Sequence, residues 1–260
     1  MNGREVRLPE NAYDAFAELY DETRFDRFSL SLVPRIEELL PAGGGGSLAD
    51  LACGTGSLIA ALASKASLLA GVDRSVAMAK KARSKMEGAR IAAGSLSRLP
   101  LRGSFDVVLC LYDSLNYLLG EEELRAAFAE AKRIAAPDGI YIFDTNDRDA
   151  YQSIWGSPEP FEAEGEGGKV VIRTAYSRAE RTGRAEVAVT LGEGEKKTTY
   201  LSLHTQRYHP SETVKRLLAS TGWTLLGVEA IEPFPGEAGL LPGGKTLRLA
   251  RAPGRRGAGR

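Results

Sequence analysis

Residues 48–57, LADLACGTGS, constrain the fold of this chain more than any other segment. Their apolar residues predict a buried strand that ends at a turn containing Gly54 and Gly56, and a helix begins directly after the turn. Asp50 lies inside the strand, and a second apolar strand ends at another acid, Asp73. Glycines let a ligand approach the backbone, a helix N-terminus favours a negative group, and an acid after the next strand suits a ribose diol. The pattern therefore predicts a nucleoside-type cofactor across the carboxyl ends of parallel strands.

The glycine turn does not fit the fingerprint of dinucleotide-binding proteins. That fingerprint is G-x-G-x-x-G. With Gly54 and Gly56 as its first two glycines, the third position is Ile59. Shifting the register puts Ala52 first and Ser57 last, which also fails. A cofactor without a pyrophosphate is therefore favoured.

The pattern D-x-x-x-G-x-G at 50–56 resembles motif I of the class I S-adenosylmethionine-dependent methyltransferases. The resemblance implies that Gly54 and Gly56 face the methionine end of the cofactor and that Asp73 holds the ribose hydroxyls. The alternative is a tight strand-to-helix turn that binds no ligand.

The resemblance extends over about residues 13–250 and is closest in character to the YqeM-like bacterial branch of that family. The matching segments are DSLNYL at 113–118, FD at 143–144 and H-x-Q-R at 204–207. They imply the fold and the cofactor, but they do not identify the methyl acceptor.

The resemblance also implies which residues contact the cofactor. In this family the N-terminal helices fold over the cofactor, and Tyr20 is expected at its carboxylate; packing in an amphipathic core is the alternative. Ser95 stands where relatives usually have an acid that accepts from the adenine amino group, so it would accept without charge assistance. The predicted cofactor contacts are Tyr20, Asp50, Ala52, Gly54, Gly56, Asp73, Arg74, Ser95, Leu96, Leu111 and Tyr112.

Polar residues after the fourth strand and near residue 204 are the candidates for catalysis. Methyl transfer from a sulfonium depends on alignment of the acceptor, which is worth about 7–11 kcal/mol of the barrier. We predict Asp113 and His204 as catalytic residues, because ligands gather after such strand ends and an imidazole is a base near neutral pH. The alternatives are that Asp113 caps the following helix and that His204 lies on the surface. The predicted substrate contacts are Asn116, Tyr117 and Arg207.

Charge and composition exclude several classes of protein. The 260 residues include 34 basic and 34 acidic side chains, which gives no sign of a general affinity for polyanions. No apolar run reaches membrane-spanning length and residues 1–10 do not resemble a signal peptide, so we expect a cytoplasmic protein. Two histidines without an H-E-x-x-H motif or a cysteine cluster predict no metal site. Cys53 and Cys110 are expected as free thiols packed near strand ends.

Helices and strands alternate up to residue 144, which predicts a parallel sheet with right-handed crossovers. The predicted helices are 12–20, 30–40, 57–65, 76–86, 121–134 and 211–220, the fourth capped by Ser75 and the last by Ser211. The predicted strands of this sheet are 47–51, 68–72, 90–93, 105–111, 140–143, 224–231 and 245–250. Extended segments at 170–176, 185–191 and 198–208 predict an antiparallel meander.

These elements predict an α/β fold with a Rossmann-like, doubly wound, seven-stranded and mostly parallel sheet. An antiparallel β insertion, or lid, is expected between strands five and six. The predicted parts are N-terminal helices covering the cofactor (1–46), the methyltransferase core (47–148 and 209–250), a β-rich lid or substrate insertion (149–208) and a disordered tail (251–260).

The expected function is methyl transfer from S-adenosylmethionine to oxygen or nitrogen of a small-molecule acceptor, with S-adenosylhomocysteine as product. In-line displacement in a lidded pocket suits this chemistry. We expect no membrane or nucleic-acid partner, and a monomer or homodimer. An RNA (tRNA) methyltransferase is the first alternative, and it would line one face with Arg173, Arg178, Arg181 and Arg184. A nicotinamide-dependent oxidoreductase and a non-catalytic cofactor-binding protein are the others.

Overall fold

A computed structural model describes residues 5–43, 45–192, 196–231 and 244–254 of the chain. The strands are β1 (Glu5–Arg7), β2 (Ser47–Leu51), β3 (Leu68–Asp73), β4 (Arg90–Ala93), β5 (Phe105–Cys110), β6 (Ala135–Asn146), β7 (Phe161–Gly165), β8 (Gly168–Ser177), β9 (Thr182–Leu191), β10 (Thr198–Arg207), β11 (Thr224–Ile231) and β12 (Lys245–Arg251). The α-helices are α1 (Arg27–Ser31), α2 (Val33–Glu37), α3 (Ser57–Ala61), α4 (Val76–Lys85), α5 (Glu121–Ile134), α6 (Arg148–Ser153) and α7 (Ser211–Ser220). Two short 3-10 helices cover Phe16–Glu18 and Ser114–Tyr117.

The central sheet has seven strands in the order β4-β3-β2-β5-β6-β12-β11. The pairs from β4 to β6 are parallel, while β12 and β11 are antiparallel to their neighbours. Every residue of β2 is buried, as expected for a strand with helices on both faces. Helices α5 and α7 pack on one face, and α1 to α4 pack on the other. The predicted Rossmann-like fold is confirmed.

The order of the strands places a cleft at the centre of this sheet. From β2 the chain proceeds outward to β3 and β4, and it then returns to β5 on the other side of β2. Connections that leave in opposite directions from adjacent strands open a crevice at their carboxyl ends. The residues that follow β2 and β5 therefore meet at one edge.

A second sheet has five strands in the order β1-β10-β9-β8-β7. Strands β7 to β10 pair antiparallel, and β1 pairs parallel with β10. One face of this sheet is buried because Val170, Ala185 and Val187 pack against Phe16 and Trp155. The sheet thus has one apolar face toward the N-terminal segment and α6, and one face toward solvent. Strands β1 and β7 and helix α6 were not predicted.

The predicted N-terminal helices are wrong in length. Of residues 12–20 only Phe16–Glu18 is helical, and the region 30–40 contains parts of two short helices that separate at Leu32. Pro34 lies in the first turn of α2, where a missing N–H is tolerated. In one continuous helix its ring would collide with the carbonyl four residues earlier. This collision explains why the apolar periodicity overpredicted the second helix.

Other boundaries also differ from the prediction. Helix α3 ends at Ala61 rather than at residue 65, because the chain continues in tighter turns. Strand β6 is longer than predicted and contains Pro137, next to a register shift against β5. A proline fits a bulge because no ladder hydrogen bond is lost there.

The predicted start of the tail at residue 251 is wrong. Arg251 is the last residue of β12, and the N–H of the buried Ala252 donates to the carbonyl of Gly139 at 2.8 Å. Residues 255–260 of that tail lie outside the described residues.

One of the two predicted helix caps is confirmed. Ser75 accepts from the N–H of Met78 at 3.1 Å and caps α4. Ser211 is instead the first residue of α7, and its Oγ accepts from Arg248 at 3.2 Å. No helix in the described part of the chain has the length and hydropathy to cross a membrane.

Candidate active site

A cavity of about 450 Å³ lies at the carboxyl ends of β2, β3 and β5. This volume falls in the range of small-molecule pockets. We call it the first cavity. It is lined by all predicted cofactor contacts except Gly56, and Tyr117 and His204 also reach it. Residues that are far apart in the sequence thus meet at the edge where the topology placed a cleft.

The two glycines of the turn have different tasks. Both have a left-handed backbone, with φ of +54° at Gly54 and +79° at Gly56. A Cβ on Gly56 would lie 2.8 Å from the Cβ of Ala82, so Gly56 allows α4 to pack against the turn. A Cβ on Gly54 would meet only Tyr20 Cε1, at 3.9 Å, beside the cavity. Gly54 therefore lines the cavity, whereas Gly56 does not line it and packs against α4, so its contact with the cofactor stays a prediction.

The Asp73 carboxylate connects the glycine turn to the start of α4 through hydrogen bonds. Its Oδ2 accepts from the N–H of Gly54 and its Oδ1 from the N–H of Ser75, both at 2.8 Å. An ionised carboxylate has about four lone-pair sites, so acceptor capacity remains on the cavity side. Burial raises the pKa of this carboxyl group. Hydroxyl donors from a ribose would stabilise its charged form.

Asp50 also lines the first cavity, and its environment favours the protonated form of its carboxyl group. It is buried within β2, and burial together with the charge of Asp73 raises its pKa to about 8. At pH 7 the carboxyl group is therefore mainly protonated and can donate a hydrogen bond.

The residues of the first cavity fit S-adenosylmethionine. Asp73 would hold the ribose, Gly54 and Tyr20 would adjoin the amino-acid arm, and Ser95 with Leu96 would flank the base. The missing Cβ at Gly54 leaves the space for close approach. Ser95 Oγ also contacts Ser97 Oγ at 3.0 Å, which leaves it free to accept another hydrogen bond.

A second cavity of about 610 Å³ adjoins the first. It lies between the edge of the central sheet and the buried face of the second sheet. The two cavities share a wall, which is formed by Tyr13, Tyr20, Tyr112, Tyr117 and His204. Two adjoining cavities with a shared aromatic wall provide separate places for a donor and an acceptor.

Asp113 lines the second cavity rather than capping a helix. No side-chain cap is formed at the following 3-10 helix. Tyr112 and Asp113 are consecutive left-handed residues, with φ of +60° and +51°. Such a backbone costs about 1–2 kcal/mol per residue outside glycine, so the surroundings must hold it.

A buried network holds Asp113 in this strained backbone. The N–H of Asp113 donates to Asp144 Oδ2 at 2.8 Å. The fully buried Lys245 donates to Asp113 Oδ1, to Asp144 Oδ2 at 3.4 Å and to Asn146 Oδ1 at 2.9 Å. Gln206 donates to the other oxygen of Asp113 and accepts from Asn146 at 3.2 Å. Both oxygens of Asp113 are thus fixed.

Lys245 belongs to this buried network, although the sequence predicts no role for it. Its only signal is a lysine at the first position of a strand that also contains Leu247, Leu249 and Ala250. Asp144 and Gln206 lie in segments that carried the family resemblance, but no role was predicted for either. Burial raises the pKa of Asp144, and the nearby Lys245 ammonium opposes that shift.

His204 is buried and belongs to a chain of hydrogen bonds. The hydroxyls of Tyr13 and Tyr117 lie 2.6 Å apart, Tyr117 Oη lies 3.0 Å from His204 Nδ1, and His204 Nε2 lies 3.2 Å from Ser202 Oγ. Burial lowers the pKa of His204 to about 4 and raises the pKa values of Tyr13 and Tyr117. At pH 7 all three groups are therefore uncharged.

Two predicted substrate contacts do not reach either cavity. Asn116 is fully buried, and its amide donates to the carbonyl of Arg207 at 2.8 Å and accepts from the N–H of Asn146 at 2.9 Å. The Arg207 guanidinium donates to the carbonyl of Leu119 at 3.1 Å. These side chains attach the loop after β5 to β10, and their contacts with a substrate stay predictions. His209 accordingly meets the carbonyl of Leu118 at 2.8 Å.

The arginines of the insertion lie on the second sheet and in the turn between β8 and β9. Arg173 stands opposite Glu186 in the β8–β9 pair, and Arg184 meets Glu180 at 3.7 Å. All four arginines are exposed, including Arg178 and Arg181. Cys53 and Cys110 are buried free thiols, and the described residues contain no cluster of three or more potential metal ligands.

A family model described as a methyltransferase domain matches residues 48–139. The putative methyltransferase YqeM of Bacillus subtilis is 27% identical over 222 residues, which cover 84% of this chain and 89% of that protein. A putative methyltransferase of Geobacillus sp. is 33% identical over 142 residues, which cover 52% of this chain and 57% of that protein. The chain belongs to the class I S-adenosylmethionine-dependent methyltransferases.

This methyltransferase is also similar to proteins with named substrates. The dTDP-3-amino-3,6-dideoxy-alpha-D-glucopyranose N,N-dimethyltransferase of Streptomyces fradiae is 29% identical over 211 residues, which cover 76% of this chain and 78% of that protein. The structure of a sugar N-methyltransferase from Streptoalloteichus sp. superimposes with a TM-score of 0.71 at 23% identity, covering 95% of each chain. The predictions of the family, the fold and S-adenosylmethionine as cofactor are confirmed.

Proposed function

We propose that this methyltransferase methylates a nitrogen of a small molecule held in the second cavity. The observation that carries the proposal is the wall shared by the two cavities, which brings an acceptor space next to the cofactor space. The Streptomyces fradiae relative, whose name describes dimethylation of an amino sugar nucleotide, supports nitrogen as the methylated atom. S-adenosylmethionine, when bound, supplies an activated methyl group. The protein's task is then to orient the acceptor and exclude water.

Asp113 and Tyr117 are the groups that would touch the acceptor. Lys245 and Gln206 hold the Asp113 carboxylate in one orientation, so it can orient an N–H donor. A protonated amine can give one proton to the Asp113 carboxylate, which frees the nitrogen lone pair for attack on the methyl group, and Tyr117 Oη, 3.0 Å from His204 Nδ1, can orient the nitrogen. In this scheme His204 is a positioning residue for Tyr117, because burial lowers its pKa to about 4 and keeps the imidazole neutral at pH 7.

Calorimetric titration of S-adenosylhomocysteine, with NADH as control, is the first test. We expect binding of S-adenosylhomocysteine alone. Binding of NADH instead would support the nicotinamide-dependent oxidoreductase. Binding of S-adenosylhomocysteine without turnover on any acceptor would indicate a non-catalytic binding protein.

A matched pair of variants tests where the acceptor lies. Ala185→Leu fills the wall of the second cavity, whereas Ala175→Leu places the same side chain on the exposed face of the same sheet. We expect Ala185→Leu to lower kcat/KM for small amines at least tenfold without changing the Kd for S-adenosylhomocysteine. Ala175→Leu should change neither. Equal activity of both variants, or methylation of tRNA with steep salt dependence, would contradict the proposal.

A further inference from the structure

The side chains that line the second cavity do not suit an anionic substrate. Three acidic residues line it, Asp113, Glu159 and Glu162, of which Asp113 and Glu162 are ion-paired with lysines, and among the described residues no lysine or arginine lines it. His204 also reaches this wall, but it is uncharged at pH 7. A phosphate that entered would therefore meet no cation.

The lysines close to this wall are already engaged. The Lys245 ammonium is fully buried and directs its bonds to Asp113, Asp144 and Asn146. Because an ammonium has three donors, none remains for a ligand. Lys169 Nζ contacts the Glu162 carboxylate at 2.5 Å. An anionic group in the cavity would lose its hydration without gaining a charged partner, which is unfavourable.

Aromatic rings form much of the same wall. Phe25 and Phe161 meet edge to face with their centroids 5.6 Å apart, and both are half-buried. The face of an aromatic ring attracts cations through its quadrupole. Rings combined with carboxylates therefore favour a positively charged or neutral ligand. The rings at the wall include those of Tyr13, Phe25, Tyr112, Tyr117, Trp155 and Phe161.

We propose that the acceptor is an amine that carries no phosphate or carboxylate group and enters the second cavity as a cation. The inference rests on the proposed function, because it names the substrate class of the same cavity. It separates this enzyme from the Streptomyces fradiae relative, whose name gives a dTDP-linked sugar. A dTDP group is a nucleoside diphosphate with two negatively charged phosphates, and it needs cationic partners when it is enclosed.

Matched probes that differ in charge test this selectivity. Benzyltrimethylammonium, benzyl alcohol and benzyl phosphate are titrated into the enzyme saturated with S-adenosylhomocysteine. We expect the cation to bind at least tenfold more tightly than the phosphate, with the alcohol between them. Benzyl phosphate binding as tightly as the cation would overturn the inference.

Variants of the wall locate the source of the selectivity. Phe161→Leu should weaken the cation relative to benzyl alcohol by about 2- to 30-fold. Glu159→Lys should shift the preference toward benzyl phosphate. Glu164→Lys is the control, because Glu164 is a nearby exposed acid that does not line the cavity. An equal shift with Glu164→Lys would show that the wall is not responsible and would count against the inference.

The binding probes distinguish the failure of this inference from the failure of the proposed function. A cation preference without methylation of any amine supports the charge selectivity and rejects the proposed reaction. Methylation of a phosphorylated small molecule, improved by Glu159→Lys, supports the proposed reaction and rejects the charge selectivity.

Discussion

Replacing Gly56 with alanine tests whether Gly56 allows α4 to pack against the turn while Gly54 leaves space in the first cavity. The new Cβ would lie 2.8 Å from Ala82 Cβ and 2.9 Å from Ala82 Cα, and the backbone φ of +79° would become strained. Left-handed strain of about 1–2 kcal/mol and overpacking of about 1–3 kcal/mol give a loss of about 2–5 kcal/mol. In a protein of this size that corresponds to a decrease in Tm of about 4–20 °C.

Gly54→Ala is the matched control, because its φ is also positive and its environment is open. The Cβ would meet only Tyr20 Cε1 at 3.9 Å, so the expected destabilisation is about 1–2 kcal/mol from the backbone alone. Its methyl group would occupy space beside the first cavity, and we expect at least tenfold weaker binding of S-adenosylhomocysteine.

Urea denaturation and calorimetric titration of both variants measure the two effects separately. We expect the larger loss of unfolding free energy for Gly56→Ala. Gly54→Ala should instead lose binding while it retains most of its stability. Equal stability losses, or a Gly54→Ala variant that binds S-adenosylhomocysteine like the parent, would refute this account of the turn.

Four further substitutions test the charged and polar groups of the site. Burial of Asp50 lowers the unfolding free energy as pH rises from 3.8 to about 8, because the folded protein disfavours the charged carboxylate. Asp50→Asn keeps a neutral side chain, so this decline should disappear from urea titrations. Burial of His204 lowers the unfolding free energy by about 3 kcal/mol as pH falls from 6.5 to about 4, because the folded state resists protonation of the imidazole. His204→Gln should remove this pH dependence, and urea titrations at each pH check it. Lys245→Met should destabilise the protein by about 3–5 kcal/mol in thermal and urea unfolding, and adding Asp113→Asn should recover part of that loss. Asp73→Ala should weaken S-adenosylhomocysteine about 10- to 150-fold in calorimetry, because charge-assisted hydrogen bonds to the ribose are lost; an unchanged Kd in the folded variant would reject that contact.

The elements that the sequence located best are those whose signal is local. Strands β2 and β4 and helices α5 and α7 begin and end where their apolar patterns predict. Helix α5 has three glutamates in its first turn and two basic residues in its last turn, which favour those ends. The N-terminal segment was overpredicted because its apolar residues pack against α6 and the second sheet, contacts that periodicity cannot distinguish from those of a helix.

The residues that line the first cavity were predictable for the same reason. The turn with Gly54 follows a buried strand directly, and Asp73 ends the next strand, so the parallel sheet brings them together without further information. The acceptor site was not predictable to this degree. Asn116 and Arg207 were assigned to the substrate, yet their hydrogen bonds serve the fold.

The sequence by itself determined the class of fold, the family and the cofactor, because a strand, a glycine turn and an acid are close along the chain. The tertiary structure decided which glycine packs and which lines the cavity. It also decided the partner of Asp113, because Lys245 is 132 residues away in the chain and becomes its neighbour only when β12 inserts beside β6. The second cavity likewise exists only where two sheets meet. Contacts of this kind depend on the docking of distant elements, for which neither periodicity nor spacing carries a signal.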